Sequence, residues 1–342
     1  MYQRNSFSAG RFSRGGGSSS QGFGGRRPQR SRTPRTFDPS RMIDTVSVTP
    51  VEEKFVPTMT FESLAIDSRL KATILKCGYT QPTEIQERAI PELLLGRDVV
   101  GIANTGTGKT AAFLIPLINK VLLNRHEKVL ILAPTRELAI QIDDQFRILS
   151  QGLSLYSTVC IGGASISYQM RGLYRNPNFV IATPGRLIDL HERTAIKLHT
   201  FTTIVLDEVD RMLDMGFVPD IRKIISFLPE QRHSLFFSAT MQPVIEDIMR
   251  TFSRDPVMIS VKKAHTSANI QQKVMKVLGK DKTEMLHDLL NQTGFEKVLI
   301  FGRTKHGVDR LARSLQERGF QVASIHGDKT QFQRKRAIDI FK

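Results

Sequence analysis

The segment Asp98-Val99-Val100-Gly101-Ile102-Ala103-Asn104-Thr105-Gly106-Thr107-Gly108-Lys109-Thr110 decides the fold. A short apolar run enters a turn with two glycines, and an apolar helical pattern leaves it. Gly106 and Gly108 let the backbone bend so that successive amides point inward, and the following helix N-terminus adds partial positive charge. Strand, glycine turn and helix in that order give the form of a phosphate-binding loop. Lys109 is then placed to hold phosphate oxygens, and Thr110 to ligate a Mg²⁺ ion. Ala103 stands where the usual pattern has its first glycine, so an ordinary glycine-rich turn is the competing reading.

Working outward, strand-like runs recur at Asp98–Ala103, Lys128–Ala133, Thr158–Ile161, Asn178–Ala182, Thr203–Leu206, Ser234–Phe237 and Pro256–Val261. Segments of helical spacing separate them. Strict alternation predicts an α/β fold, a parallel sheet with helices on both faces. The polar stretch 262–269 reads as a linker, and the pattern restarts from residue 270. There, strands are expected at Gln271–Leu278, Lys297–Phe301 and Gln321–Ile325, with helices from Asp281, over Lys305–Arg318, and to the end at Lys342.

In a parallel sheet the carboxyl ends of all strands share one edge, where α/β sheets bind ligands. Five runs of the first domain lead into polar segments there: Asn104–Thr110, Pro134–Glu137, Thr183–Arg186, Asp207–Asp210 and Ser238–Thr240. Asp207 and Glu208 follow an apolar strand, where an unpaired acid pair is costly to desolvate and a metal ion removes that cost. In phosphate-loop enzymes the first acid holds Mg²⁺ and the next carboxylate positions or deprotonates the attacking water. Helix-capping acids are the plainer alternative.

The chain has 342 residues, 40% hydrophobic and 24% charged, enough for two domains with cores. A net charge of +16 calls for an anionic partner. Eight arginines and no acid lie between Met1 and Thr36, among glycines, serines and isolated aromatics. The arm over 1–55 therefore reads as disordered; a solubilising tail is the plain reading, and arginine for phosphates with aromatics for bases favours a nonspecific RNA tether. The two cysteines, Cys77 and Cys160, read as reduced core residues. No apolar run approaches membrane-spanning length and no secretory leader is visible, so no membrane and a cytoplasmic address are expected.

Taken in order, seven segments resemble the DEAD-box RNA helicases. They are Gly78-Tyr79-Thr80-Gln81-Pro82-Thr83-Glu84-Ile85-Gln86, the glycine loop, Pro134-Thr135-Arg136-Glu137-Leu138, Gly162-Gly163, Thr183-Pro184-Gly185-Arg186, Asp207-Glu208-Val209-Asp210 and Ser238-Ala239-Thr240. The resemblance implies a RecA-like ATP-binding domain over 56–261 and a second, partial RecA-like domain over 270–342. It implies ATP and Mg²⁺ as cofactors, with Ala103, Asn104, Thr105, Gly106, Thr107, Gly108, Lys109 and Thr110 around the phosphates. By the same resemblance Gln86 reads the adenine edge, Phe61 stacks on the base, and Tyr79 and Thr83 shape that pocket. Thr83 and Gln86 also fit a helix capping box.

Further roles rest on the resemblance as well. Lys109, Asp207 and Glu208 form the catalytic group, with Thr110 and Asp207 as metal ligands. Ser238, Ala239 and Thr240 couple nucleotide to RNA, and Asp210 contacts the partner domain. Pro134, Thr135, Arg136, Glu137, Gly162, Gly163, Thr183, Pro184, Gly185 and Arg186 touch the RNA backbone, a sequence-blind mode of contact; turns and helix caps are the alternative for all of them. In the second domain Phe301, Gln331 and Arg334 complete the RNA set, though Phe301 equally suits a core.

Val209 departs from the family pattern beside the acids and leaves both carboxylates in place. The Arg-Gly-x-Asp and His-Arg-x-Gly-Arg segments that would supply phosphoryl-stabilising arginines do not occur, so a longer reading frame and weak hydrolysis by this chain alone are expected. The expected activity is ATP-dependent RNA unwinding; the alternatives are a catalytically weak ATP-responsive RNA-binding protein and a DNA-directed phosphate-loop ATPase.

Overall fold

The computed structural model describes residues 55–261, 273–277, 279 and 281–342. The arginine-rich arm, apart from Phe55, and the linker expected at 262–269 lie outside the described residues. After a short 3-10 turn at Phe61–Ser63, the elements are α1 (Ser68–Lys76), α2 (Glu84–Leu94), β1 (Val99–Ala103), α3 (Lys109–Leu123), β2 (Val129–Leu132), α4 (Arg136–Leu149), β3 (Ser157–Cys160), α5 (Ile166–Tyr174), β4 (Phe179–Ala182) and α6 (Pro184–Glu192). They continue as β5 (Thr203–Leu206), α7 (Val209–Asp214), α8 (Val218–Ser226), β6 (His233–Ser238), α9 (Pro243–Phe252) and β7 (Val257–Val261). Each strand lies within one residue of its sequence expectation.

The seven strands form one sheet in the order β3-β4-β2-β5-β6-β1-β7, and every recorded pairing is parallel. Side chains alternate between its faces with the strand period of two. Val99, Val129, Ile131, Ile181, Val205, Leu235 and Phe237 pack with α1 to α4 on one face. Val100, Leu130, Leu132, Val180, Ile204, Leu206 and Phe236 pack with α5 to α9 on the other. Burial on both faces explains why these strands are continuous apolar runs rather than alternating ones.

Helices placed by local signals agree with this frame. Thr135 caps α4 by accepting from the Leu138 amide at 3.3 Å, and Pro184 sits at the first turn of α6, where its missing N–H costs nothing. Cys160 is buried as expected, and burial pushes its thiol pKa up to about 12. Cys77 is only half-buried at the end of α1, which corrects its reading as a core residue.

The last described stretch holds α10 (Lys282–Leu290), α11 (Lys305–Glu317) and α12 (Gln331–Phe341). The strands expected at Lys297–Phe301 and Gln321–Ile325 carry no ladder among the described residues, nor do 273–277. The physical reason is that a helix closes its own hydrogen bonds whereas a strand needs a paired neighbour. Thr304 and Thr330 accordingly cap α11 and α12 through the amides of Gly307 (3.1 Å) and Gln333 (3.3 Å). Leu299 and Phe301 remain 66% and 89% exposed, which also removes the core reading of Phe301.

Candidate functional site

Sheet order decides which turns meet. β1 pairs β6, and β6 pairs β5, so the glycine loop after β1 and the acid pair after β5 are two strands apart at one edge. At about 4.8 Å per strand this is a separation of roughly 10 Å across the sheet. Lys109 and Asp207 are thus on the same side of the molecule, and the Lys109 charge acts directly on the Asp207 carboxyl.

The glycine loop has the geometry its residues predict. Gly106 and Gly108 adopt φ of +80° and +94°, values that favour glycine, and Gly108 caps α3. A Cβ on Gly108 would collide with the Gln86 amide and lie 3.0 Å from Thr83 Oγ1. The Thr107 hydroxyl donates to the Asn104 carbonyl at 2.8 Å. Lys109 is buried at the first turn of α3, and its ammonium donates to the Ala103 carbonyl at 2.7 Å. Ala103 therefore contributes through its backbone, and the lysine folds back over the loop it follows. Thr110 stands beside it, half-buried.

The Gln86 amide is engaged at both ends. Its oxygen accepts from the Thr83 amide at 2.9 Å within a capping box, and its nitrogen donates to the Gly108 carbonyl at 3.0 Å. Sequence reading offered capping and adenine recognition as alternatives; the capping box is present, and it also ties the start of α2 to the glycine loop. An adenine edge would be read by exchanging these bonds. Phe61 is wholly buried, edge-on to Tyr79 with ring centroids 5.6 Å apart. Its ring has no open face, so in this arrangement Phe61 packs in the core and does not present a stacking surface; an upstream aromatic cannot be separated from a core aromatic by sequence. The Tyr79 hydroxyl accepts from Gln145 at 3.0 Å.

Asp207 is 2% exposed, and burial pushes its carboxyl pKa up to about 6 against the opposing pull of Lys109. Its oxygen accepts the Glu208 amide at 3.0 Å. Glu208 holds φ of +53°, a left-handed conformation that costs a non-glycine residue about 1–2 kcal/mol, and its carboxylate meets Arg211 at 3.2 Å. A costly backbone and a desolvated acid at adjacent positions mark a place where folding stability is not the sole demand. Asp210 Oδ2 accepts from the Ala239 amide (3.1 Å), the Thr240 amide (3.0 Å) and the Thr240 hydroxyl (3.1 Å). The Asp210 amide in turn donates to Ser238 Oγ at 3.3 Å. The segment after β5 and the segment after β6 are thereby one hydrogen-bonded unit.

A magnesium ion fits this donor set. Among the described residues no group of three His, Cys, Asp or Glu side chains could hold a metal alone. Mg²⁺ characteristically takes one or two protein oxygens and draws the rest from phosphates and water. Asp207, with a carboxyl whose ionisation burial opposes, and the Thr110 hydroxyl are donors of that kind.

A separate hollow of about 480 Å³ gathers the other loops: Pro134, Thr135, Arg136, Glu137, Gly162, Thr183, Gly185 and Arg186 all line it. The Arg136 guanidinium lies against Gly162 and Gly163, close enough that a Cβ on Gly163 would collide with it. Arg186 donates to the Ala164 carbonyl (3.2 Å) and to Gln169 Oε1 (3.1 Å). Arg334 and Gln331 both donate to Glu137 Oε1, at 2.8 and 3.3 Å. Pro184 is buried at the start of α6 beside these residues. Phe301 does not line the hollow. Gly327 does, as do Met215 and Phe217, and sequence reading missed the last two because nothing in their local pattern distinguishes them from packing residues.

A wholly parallel sheet with a glycine loop and a buried acid at the ends of strands two apart defines a RecA-like α/β domain. The chain belongs to the DEAD/DEAH box helicase family, whose sequence model matches residues 83–248; the helicase conserved C-terminal domain matches residues 281–342. It is 42% identical over 284 residues to the ATP-dependent RNA helicase CshA of Listeria monocytogenes, covering 82% of this chain and 55% of that protein. It is 42% identical over 287 residues to the DEAD-box ATP-dependent RNA helicase CshA of Bacillus subtilis, covering 83% and 58% respectively. The chain thus spans a little over half the length of these curated relatives. A crystal structure of a DEAD box protein from the hyperthermophile Methanococcus jannaschii matches with a TM-score of 0.58 and 37% identity, over 84% of this chain and 78% of that one. Among the described residues no helix is long and apolar enough to cross a membrane.

Proposed function

We propose that the protein is an ATP-dependent RNA helicase that binds ATP with Mg²⁺ at the glycine loop and single-stranded RNA backbone in the neighbouring hollow. The observation that carries this reading is the meeting of the Lys109 loop with buried Asp207 at the carboxyl edge, one segment from the Arg136 and Arg186 hollow. In it, residues 56–261 form the ATP-binding domain, 262–269 a linker, and 270–342 part of a second RecA-like domain.

The chain's residues divide the work. Loop amides and Lys109 bind the phosphates, Lys109 exchanging its bond to the Ala103 carbonyl for phosphate oxygen. Asp207 and Thr110 would hold Mg²⁺, which would supply positive charge against the nucleotide's phosphates. Glu208, next to the metal ligand and held in its strained conformation, orients the attacking water and takes its proton. Gln86 reads the purine edge by giving up its bond to the Gly108 carbonyl, which couples adenine binding to the glycine loop. Asp210, bound to Thr240 and Ser238, transmits the state of the acid pair toward the RNA site.

At the hollow, Arg136, Arg186, Arg334 and the amides around Gly162 and Thr183 grip sugar and phosphate without reading bases. Bending one strand there displaces its partner; at roughly 1.4 kcal/mol per stacked step on the DNA scale, opening a few pairs requires several kcal/mol, which differential ATP binding to the RNA-bound state can supply. The test is ATP hydrolysis by the full-length protein with and without single-stranded RNA or DNA. RNA-selective stimulation, abolished together with nucleotide binding in Lys109→Ala, is expected. Equal stimulation by DNA would favour a DNA-directed ATPase, and absence of hydrolysis with RNA binding intact would favour a noncatalytic RNA-binding protein.

A further inference from the structure

Helix α5 starts three residues beyond Gly163 and covers β3, the edge strand of the sheet. Its inner side is fixed. Leu173 is buried, and Gly172 sits so close to β3 that a Cβ there would lie 2.9 Å from Thr158 Cγ2. Gln169, 3% exposed, donates to the Ile161 carbonyl at 2.9 Å and accepts from Arg186 at 3.1 Å. The helix is therefore a rigid continuation of the hollow, bonded to one of its arginines.

Its outer side carries Tyr168 (72% exposed), Arg171, Tyr174 (93% exposed) and, at the C-cap, Arg175. At 100° per residue these four span an outward arc of roughly 120°, opposite Gln169 and Leu173. Arg171 stands over the Tyr168 ring at 5.9 Å. No Asp or Glu occurs from Gln145 to Ile188, a stretch with four arginines in a chain that has 33 acids elsewhere. Exposed tyrosines serve no packing purpose here, and arginines without acids nearby in sequence favour an anion. Aromatic faces interleaved with arginine on a rigid support, in a stretch of sequence free of acids, suit unpaired bases and phosphates together.

We infer that the outer face of α5 is an additional single-stranded RNA-binding surface, on which RNA leaving the hollow past Gly162 and Gly163 stacks on Tyr168 and Tyr174 and pairs its phosphates with Arg171 and Arg175. The inference rests on the proposed RNA reading of the hollow. From Tyr168 to Tyr174 the helix rises about 9 Å, room for one or two further nucleotides. Affinity thus grows with strand length beyond what the hollow alone accommodates.

The test compares the full-length protein with its Tyr168→Ala/Tyr174→Ala and Arg171→Ala/Arg175→Ala variants, using fluorescently labelled polyuridylate of about six and about twenty nucleotides. The longer RNA should lose about tenfold or more in affinity with either variant, while binding of the shorter one and RNA-independent ATP hydrolysis stay unchanged. Unchanged affinity for the longer RNA, with the wild type binding both, overturns the α5 surface and leaves the RNA reading of the hollow standing. Equal losses for both lengths also overturn it, because the effect then lies in the hollow. If the wild type binds neither RNA, both readings fall.

Discussion

Replacing Asp207 with asparagine should stabilise the nucleotide-free protein while removing the carboxylate proposed to hold Mg²⁺. Burial raises the Asp207 pKa from 3.8 to about 6. That difference corresponds to about 3 kcal/mol of penalty for carrying the charge in the folded state above pH 6. The sign follows from proton uptake. Between the two values the folded chain holds a proton that the unfolded chain has released, so this group's contribution is intact below the unfolded value and is lost as pH rises through the folded one. Asparagine keeps the size and the acceptor for the Glu208 amide but brings an N–H₂ group that needs partners, which offsets about 1–2 kcal/mol. A net gain of about 1–2 kcal/mol at pH 7.5 should raise the melting temperature by roughly 2–8 °C. The assay is calorimetric melting of both proteins in EDTA from pH 4 to pH 8. The difference should be smallest near pH 4 and grow to a plateau above pH 6. A less stable variant at pH 7.5, or a difference that does not change with pH, would refute the electrostatic account of this site.

Other expectations are local. Gly108→Ala should lower stability by about 1–2 kcal/mol or more, since the position needs φ of +94° and the new methyl group meets Gln86 and Thr83, and nucleotide affinity should fall with it; unchanged affinity by titration would show that the loop tolerates displacement. Glu208→Gln should keep ATP binding and slow hydrolysis at least a hundredfold in the full-length protein, and normal turnover would exclude Glu208 as the base. With its thiol pKa pushed up to about 12 and its side chain buried, Cys160 should resist maleimide at pH 7.5 in the folded protein; rapid labelling there, resolved from Cys77 by peptide mapping, would contradict its burial.

Much of the first domain was readable in one dimension because its signals are local. Seven apolar runs bounded by turns correspond to seven strands, and Gly106, Gly108, Thr135 and Pro184 act where they stand through backbone conformation and capping. A parallel sheet also places every strand's carboxyl end on one edge, so the convergence of distant loops could be inferred before any distance was known. Other features were hidden by the same logic. Nothing around Phe61 distinguishes an aromatic with an open face from one sealed edge-on against Tyr79. The runs 297–301 and 321–325 have strand composition, yet a ladder depends on neighbours that composition does not specify.

Residue order and elementary stereochemistry thus determined the kind of layers, the positions of the turns and the edge where the distant loops gather. Strand order was a tertiary outcome, and it put β6 between the glycine loop and the acid pair. So were the desolvation of Asp207, the grip of Asp210 on Thr240, and the anchoring of α5 to Arg186 through Gln169. Charge, exposure and hydrogen-bond choice depend on everything packed around a group, whereas backbone propensity and capping depend on a few adjacent residues.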